Sequence, residues 1–280
     1  VIRGSSGAEI CLLIDTVVKY DTTHTGTRVR DQGIWLRRYV GTDTTSLPYV
    51  TEVHCYGYTM ERLNECEIPR SADEILKTCD RIIINLESIW SLERSKHRLR
   101  CFDGGEHKRY VRRLLRQVKM TEYRDTLRDF GGRVNWRNLT VGLTHGDPII
   151  DNVMERPIEG SRTNRTKMVI IDPIPACDAL PDVTAVDVGR VIQSAVGYEV
   201  LRYPDGELRE HIGVRRGVNH VINAWQTGVF NIDDVRAALL FSIIHMMRGV
   251  RTAYRVAPEC VESLVNVTRG LIKETIVWMQ

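Results

Sequence analysis

No run in this 280-residue chain approaches the roughly 18–20 uninterrupted apolar residues that a membrane helix needs. The opening Val1-Ile2-Arg3-Gly4 also lacks the cationic start and apolar stretch of a secretory signal, so a cytoplasmic location is expected. Paired cysteines are missing as well. The seven present (Cys11, Cys55, Cys66, Cys79, Cys101, Cys177, Cys260) are odd in number, scattered and without a C-x-x-C, which argues against a disulfide framework and against a zinc site. Charge of one sign is equally scarce: 39 Lys and Arg against 36 Asp and Glu leave +3, too little for a nucleic-acid coat or a polybasic membrane anchor. What remains, 42% hydrophobic and 27% charged residues without repeats or low-complexity segments, describes a globular chain able to bury a sizeable core in one large domain or two lobes.

The order of patterns favours two lobes. Val1 to Arg3, Ile10 to Ile14 and Val17 to Tyr20 read as strands of an antiparallel sheet separated by turns. Residues 28–39 carry Val29, Gln32, Trp35, Leu36 and Tyr39 at helical spacing, and Val50 to Tyr58 has strand character. Beyond residue 63 helical periodicity dominates: Ala72 to Trp90, Tyr110 to Phe130, Val186 to Val196, His211 to Gln226, Asp233 to Tyr254 and Pro258 to Trp278. Two short strands interrupt it, one ending near Val141-Gly142-Leu143 and one at Met168 to Ile171, each followed at once by polar residues. No coiled-coil seam is present, so a monomer or weak dimer is expected.

Chemistry concentrates after those two strands. In Thr144-His145-Gly146-Asp147-Pro148-Ile149-Ile150-Asp151-Asn152, a carboxylate precedes a carboxamide by five residues, and Asp172 follows twenty residues after Asn152. Hard cations such as Mg²⁺ take oxygen ligands and draw one or two carboxylates from the protein, so Asn152 and Asp172 suit a metal and Asp147 suits a base. A bare His-Gly-Asp is equally an Asx-type turn. The histidines show no metal-ligand spacing, and His145 reads as a buried framework residue of its loop.

Together these parts resemble the aminoglycoside phosphotransferase and choline kinase branch of the protein-kinase-like fold, over nearly the whole chain. Gly4-Ser5-Ser6-Gly7 stands where that family has its phosphate-covering loop, and Lys19 looks like the lysine that pairs with phosphates. Tyr58 to Leu63 looks like the hinge, bringing Glu61 and Leu63 to the adenine. His145-Gly146-Asp147 with Asn152 resembles the catalytic loop, Asp172 the metal-binding aspartate, and Asp187-Val188-Gly189-Arg190 the supporting acidic segment that follows. The resemblance implies an α+β, two-lobed fold: a β-rich N-lobe over 1–63 and a helical C-lobe over 64–280. It implies transfer of the γ-phosphate of ATP, with Mg²⁺, to a small-molecule hydroxyl on a sugar, nucleoside-like compound, amino-alcohol or antibiotic. The alternative is a pseudokinase serving as a nucleotide-binding or partner-binding scaffold.

Two features depart from that pattern. The helix position where such enzymes carry a glutamate facing the lysine is Gln32, which leaves Asp31, Glu9, another acid not singled out, or phosphate alone as the expected partner of Lys19. Residues 94–133 hold thirteen Lys and Arg against five acids, a local excess of eight positive charges. That excess is either a solvated helix face or a pointer to a neutral or anionic acceptor; without interleaved aromatic platforms a nucleic-acid partner is not expected. Asp178, Tyr198, Glu199 and Trp225 are candidate acceptor contacts by position only.

Overall fold

The computed structural model describes residues 2–3, 8–21, 27–39, 46–66, 69, 71–92, 105–158, 166–174, 182–199, 213–225 and 231–280. The phosphate-loop candidates Gly4, Ser5, Ser6 and Gly7, together with Asp178, lie outside them. The chain divides into two compact units, Val1–Glu67 with Asn152–Pro175, and Ile68–Asp151 with Ala176–Gln280.

The first unit is built on an antiparallel sheet in the order β1-β2-β3-β5-β4, from β1 (Ile2–Arg3), β2 (Ala8–Leu12), β3 (Thr16–Asp21), β4 (Val50–Val53) and β5 (Gly57–Glu61). The period of two along β3 sends Val17 and Lys19 to the same buried face. Helix α1 (Arg28–Tyr39) covers β3, β4 and β5, burying Val29, Gln32, Gly33, Leu36 and Tyr39, the stripe its spacing predicts apart from Trp35. A side chain at Gly33 is excluded by its neighbour: an added Cβ would stand 2.6 Å from Tyr58 Cβ. The expected single strand from Val50 to Tyr58 is two strands, because the chain turns at residues 54–56 and His54 N–H bonds Gly57 O at 2.8 Å. A second sheet, β6 (Asn64–Glu65), β7 (Val153–Pro157) and β8 (Thr166–Ile170), completes this unit. Ile170 N–H reaches Ser46 O at 2.9 Å, and Arg156 spans Leu47 O and the Glu61 carboxylate.

The second unit is helical: α2 (Ala72–Ser91), α3 (Gly105–Gln117), α4 (Arg124–Arg133), α5 (Thr184–Ala195), α6 (Val214–Trp225), α7 (Ile232–Val256) and α8 (Val261–Met279). All twelve residues of α5 are buried, with α2, α6 and α7 packed around it. Capping boxes set two helix starts, Ser71 with Glu74 for α2 and Asn231 with Asp234 for α7. Asp234 also accepts from the N–H and the hydroxyl of Thr140, each at 2.7 Å, fixing the segment that leads into residues 144–151.

Two expectations need correction here. Tyr110 to Phe130 is not one helix: α3 ends at Gln117, Lys119 adopts φ +56°, and the chain restarts through a 3₁₀ turn into α4. The buried stripe of Val111, Leu114, Leu115 and Val118 is nevertheless present. The strand expected at Val141 to Leu143 is a lone bridge between Val141 and Val183. Among the described residues no helix is long and apolar enough to cross a membrane, and no disulfide joins the five described cysteines.

Candidate active site

In the first unit, β3 delivers Lys19 into an interior where it is 3% exposed. Its Nζ lies 2.5 Å from Asp172 Oδ1 and 3.5 Å from Gln32 Oε1. Gln32 is held in turn, its Nε2 donating to Pro173 O at 2.9 Å. The residue that looked like a missing glutamate is therefore the bridge: a carboxamide accepts from the lysine on one side and donates to the backbone after Asp172 on the other, which a carboxylate does not do. Asp31 accepts from Thr27 Oγ1 and pairs with Arg30, while Glu9 accepts from the Tyr20 hydroxyl.

Asp172 leaves β8 with φ +61°, outside the backbone region most residues use. Tyr58 OH donates to its Oδ1 at 3.5 Å, and burial, reinforced by the charge on Asp172, pushes the Tyr58 phenol well above its ordinary value, so it stays a donor. Asn152 precedes β7. Val153 pairs with Ile170, and Ile171 N–H bonds Asn152 O at 2.9 Å, so Asn152 and Asp172 stand at the same end of one hairpin. One carboxylate and one carboxamide form an oxygen donor set that fits a hard cation whose remaining ligands are water or phosphate oxygens. Among the described residues no group of three or more His, Cys, Asp or Glu side chains forms a metal cage.

In the second unit the segment 144–151 is organised by Asp187 on α5. Its carboxylate accepts from His145 N–H at 2.9 Å, Gly146 N–H at 2.6 Å and Trp90 Nε1–H at 2.9 Å. Gly146 turns the chain at φ +79°, which a residue without Cβ adopts freely. Burial pushes Asp187 up to about 6, against the lowering from its three N–H donors. His145 is fully buried and its Nδ1 takes Asp147 N–H at 3.4 Å, the framework position expected for it.

Asp147 is oriented by a cation. Arg190 Nη2 lies 2.9 Å from its Oδ1, and Arg190 Nη1 donates to Gln193 Oε1 at 2.7 Å. Gln193 is tied to α7 through His245 O at 3.3 Å. Burial lowers Arg190 from its ordinary value while Asp147 opposes that shift. Arg190 lies inside the acidic segment Asp187-Val188-Gly189-Arg190, and nothing local in the sequence links it to a partner 43 positions earlier.

Other candidates are placed as follows. The Glu61 carboxylate engages Arg156, its N–H bonds Tyr49 O at 2.9 Å, and Leu63 is buried. Trp225 is fully buried and Tyr198 packs over Gly249 of α7, while Glu199 accepts from Ser194 Oγ at 2.6 Å. These three positions serve the interior of the second unit.

No protein-family model matches the chain, and no curated protein matches it. Solved structures do. It is similar to aminoglycoside phosphotransferase APH(2'')-Ib in an ADP-bound form, at 13% identity and TM-score 0.53, over 96% of this chain and 94% of that one. It is similar to an ethanolamine kinase from Plasmodium vivax, at 11% identity and TM-score 0.53, over 97% and 82%. A choline kinase from Cryptosporidium parvum Iowa II matches at 10% identity and TM-score 0.51, over 97% and 90%. The chain thus has the protein-kinase-like fold of these structures, with a small antiparallel N-lobe and a mostly helical C-lobe.

Proposed function

We propose that this chain is an ATP-dependent phosphotransferase acting on the hydroxyl of a small molecule. The observation that carries the reading is the first unit's cluster: Lys19 on β3, Asp172 and Asn152 at one hairpin end, and Gln32 joining lysine to backbone. Phosphoryl transfer asks a protein chiefly to position phosphates, neutralise charge and orient a hydroxyl. Lys19 pairs with the α/β-phosphates, and the segment Gly4, Ser5, Ser6 and Gly7 is assigned to the same phosphates by its place in the sequence. The hinge, with Glu61 and Leu63, holds the adenine. Asn152 and Asp172 hold Mg²⁺, which when bound neutralises phosphate charge. Asp147 orients the acceptor hydroxyl and takes its proton as the oxygen bonds to the γ-phosphorus and ADP leaves with the bridging oxygen, while Arg190 keeps the Asp147 carboxylate in place.

The acceptor is neutral or anionic on the strength of the basic stretch 94–133, and the protein works in the cytoplasm as a monomer or weak dimer. A second reading, a nucleotide-binding scaffold without turnover, is favoured by the neutral Gln32 where the related pattern has an acid. Calorimetric titration with ATP, with and without Mg²⁺ and without acceptor, tests the proposal. Binding that requires Mg²⁺ is the expected result, followed by phosphate transfer in a screen of sugars, nucleosides and amino-alcohols. Absence of binding at millimolar ATP sinks it.

A further inference from the structure

The basic stretch shows its arrangement once α3 and α4 are in place. Between these helices and the 3₁₀ turn at Trp136–Asn138 lies a shallow groove that opens to solvent. Its rim carries Lys108 and Arg112 from α3 and Arg124 and Arg128 from α4, all exposed. Its floor is apolar, with Leu115 at 1% and Leu127 at 3% exposure. Trp136 forms a fixed wall: its indole N–H donates to Gly131 O at 3.0 Å and its ring meets Phe241 edge-on at 6.1 Å.

Four exposed cations are gathered round one apolar cleft, and a bound anion relieves the part of their repulsion that water and salt do not screen. Among the described residues the neighbouring acids do little of this. Asp129 pairs with Arg133, Glu122 with Arg269, and Asp125 with Arg128 in a solvent-exposed contact at 3.2 Å. Among the described residues Lys108, Arg112 and Arg124 have no carboxylate partner. Charge and floor together define the occupant, since guanidinium forks match phosphate oxygens while Leu115, Leu127 and Trp136 match a ring or short chain.

We infer that this groove is a binding site for a small organic monophosphate with an apolar tail. It shares no residue with the 144–152 segment, Asp187 or Arg190. Its failure would leave the phosphotransferase proposal standing, and its success would remove the basic stretch as an argument about the acceptor's charge.

The test titrates the whole chain with hexyl phosphate, and with hexanol and hexylammonium as references, without nucleotide or Mg²⁺. Heat and tryptophan fluorescence are both followed. Hexyl phosphate binds at least about tenfold tighter than hexanol, as expected for charge-assisted hydrogen bonds, and hexylammonium does not bind. The pair Arg112→Gln and Arg124→Gln, exposed helix-surface changes whose folding is checked by thermal melting, loses about tenfold. Trp136→Phe loses the fluorescence response but keeps the heat. Gly131→Leu, at a lining position where an added Cβ is tolerated with Leu240 Cδ2 3.9 Å away, is expected to weaken hexyl phosphate and hexanol alike. Equal affinity for hexyl phosphate and hexanol, unchanged binding in the double variant, or no binding at millimolar hexyl phosphate overturns the inference.

Discussion

Asp172 and Asp147 each face a cation, and the two cations are held in opposite ways. Lys19 meets Asp172 as a point charge on a flexible stem, with Gln32 at the loose distance of 3.5 Å. Arg190 meets Asp147 through one arm of a rigid fork whose other arm is fixed to Gln193 at 2.7 Å, within a helix whose twelve residues are all buried. Both cations are buried, but a lysine can exchange a carboxylate for a phosphate by rotating its stem, whereas a guanidinium held at both ends sets a direction. The contrast matches the two tasks proposed: Asp172 exchanges partners when nucleotide and metal arrive, while Asp147 must point one way throughout.

The strongest break in this contrast comes from the locked side. Asp147→Ala is expected to lower turnover by about 10²–10⁴, the usual worth of a positioned acid–base group, as read from initial rates. Asp187→Ala strands three N–H donors in the interior and is expected to cost about 2–4 kcal/mol of stability, visible as a fall in the urea midpoint at unchanged slope.

Acidity probes the same carboxylate. Because burial raises Asp187 to about 6 in the folded state, above an ordinary value near 4, the native protein holds this proton more tightly than the unfolded one. Its contribution to stability is therefore fully present below about pH 4 and is lost as pH rises through about 6, a swing on the order of 2–3 kcal/mol. Urea denaturation of the parent chain and of Asp187→Asn across that window checks it: the difference between the two shifts with pH if Asp187 titrates there and is flat if it does not. The smallest effect belongs to the loose side. Gln32→Glu keeps an acceptor for Lys19 but loses the donor to Pro173 O, a change worth about 1 kcal/mol, or a few-fold in ATP affinity by calorimetry.

Helices with a clean apolar stripe were legible as sequence. Spacing alone gives α1 as 28–39, and Ala72 to Trp90 stops one residue short of the end of α2. The failures have physical causes. Nothing in Val118-Lys119-Met120 advertises the positive φ that splits α3 from α4. Strand β7 went unread because Val153 to Pro157 holds two charges and a proline, and its pairing with β8 supplies the order that its composition does not.

The site divides in the same way. Asp147, Asn152 and Asp172 stand out by residue type and spacing, and Lys19 only through the family resemblance. Their partners do not, because Gln32 to Pro173 spans 141 positions and Trp90 to Asp187 spans 97. Such bonds are set by tertiary packing and leave no periodic trace. Gln32 was singled out as a defect when its side chain joins both halves of the Lys19 cluster.

Mg²⁺-dependent ATP binding measured side by side in Asp147→Ala and Asp172→Ala separates a proton-accepting carboxylate from a cation-holding one. That division of labour gives near-parental affinity in Asp147→Ala and a loss of at least about tenfold in Asp172→Ala, where the cation's carboxylate is gone. Equal loss of binding in both variants, or loss in Asp147→Ala alone, contradicts it.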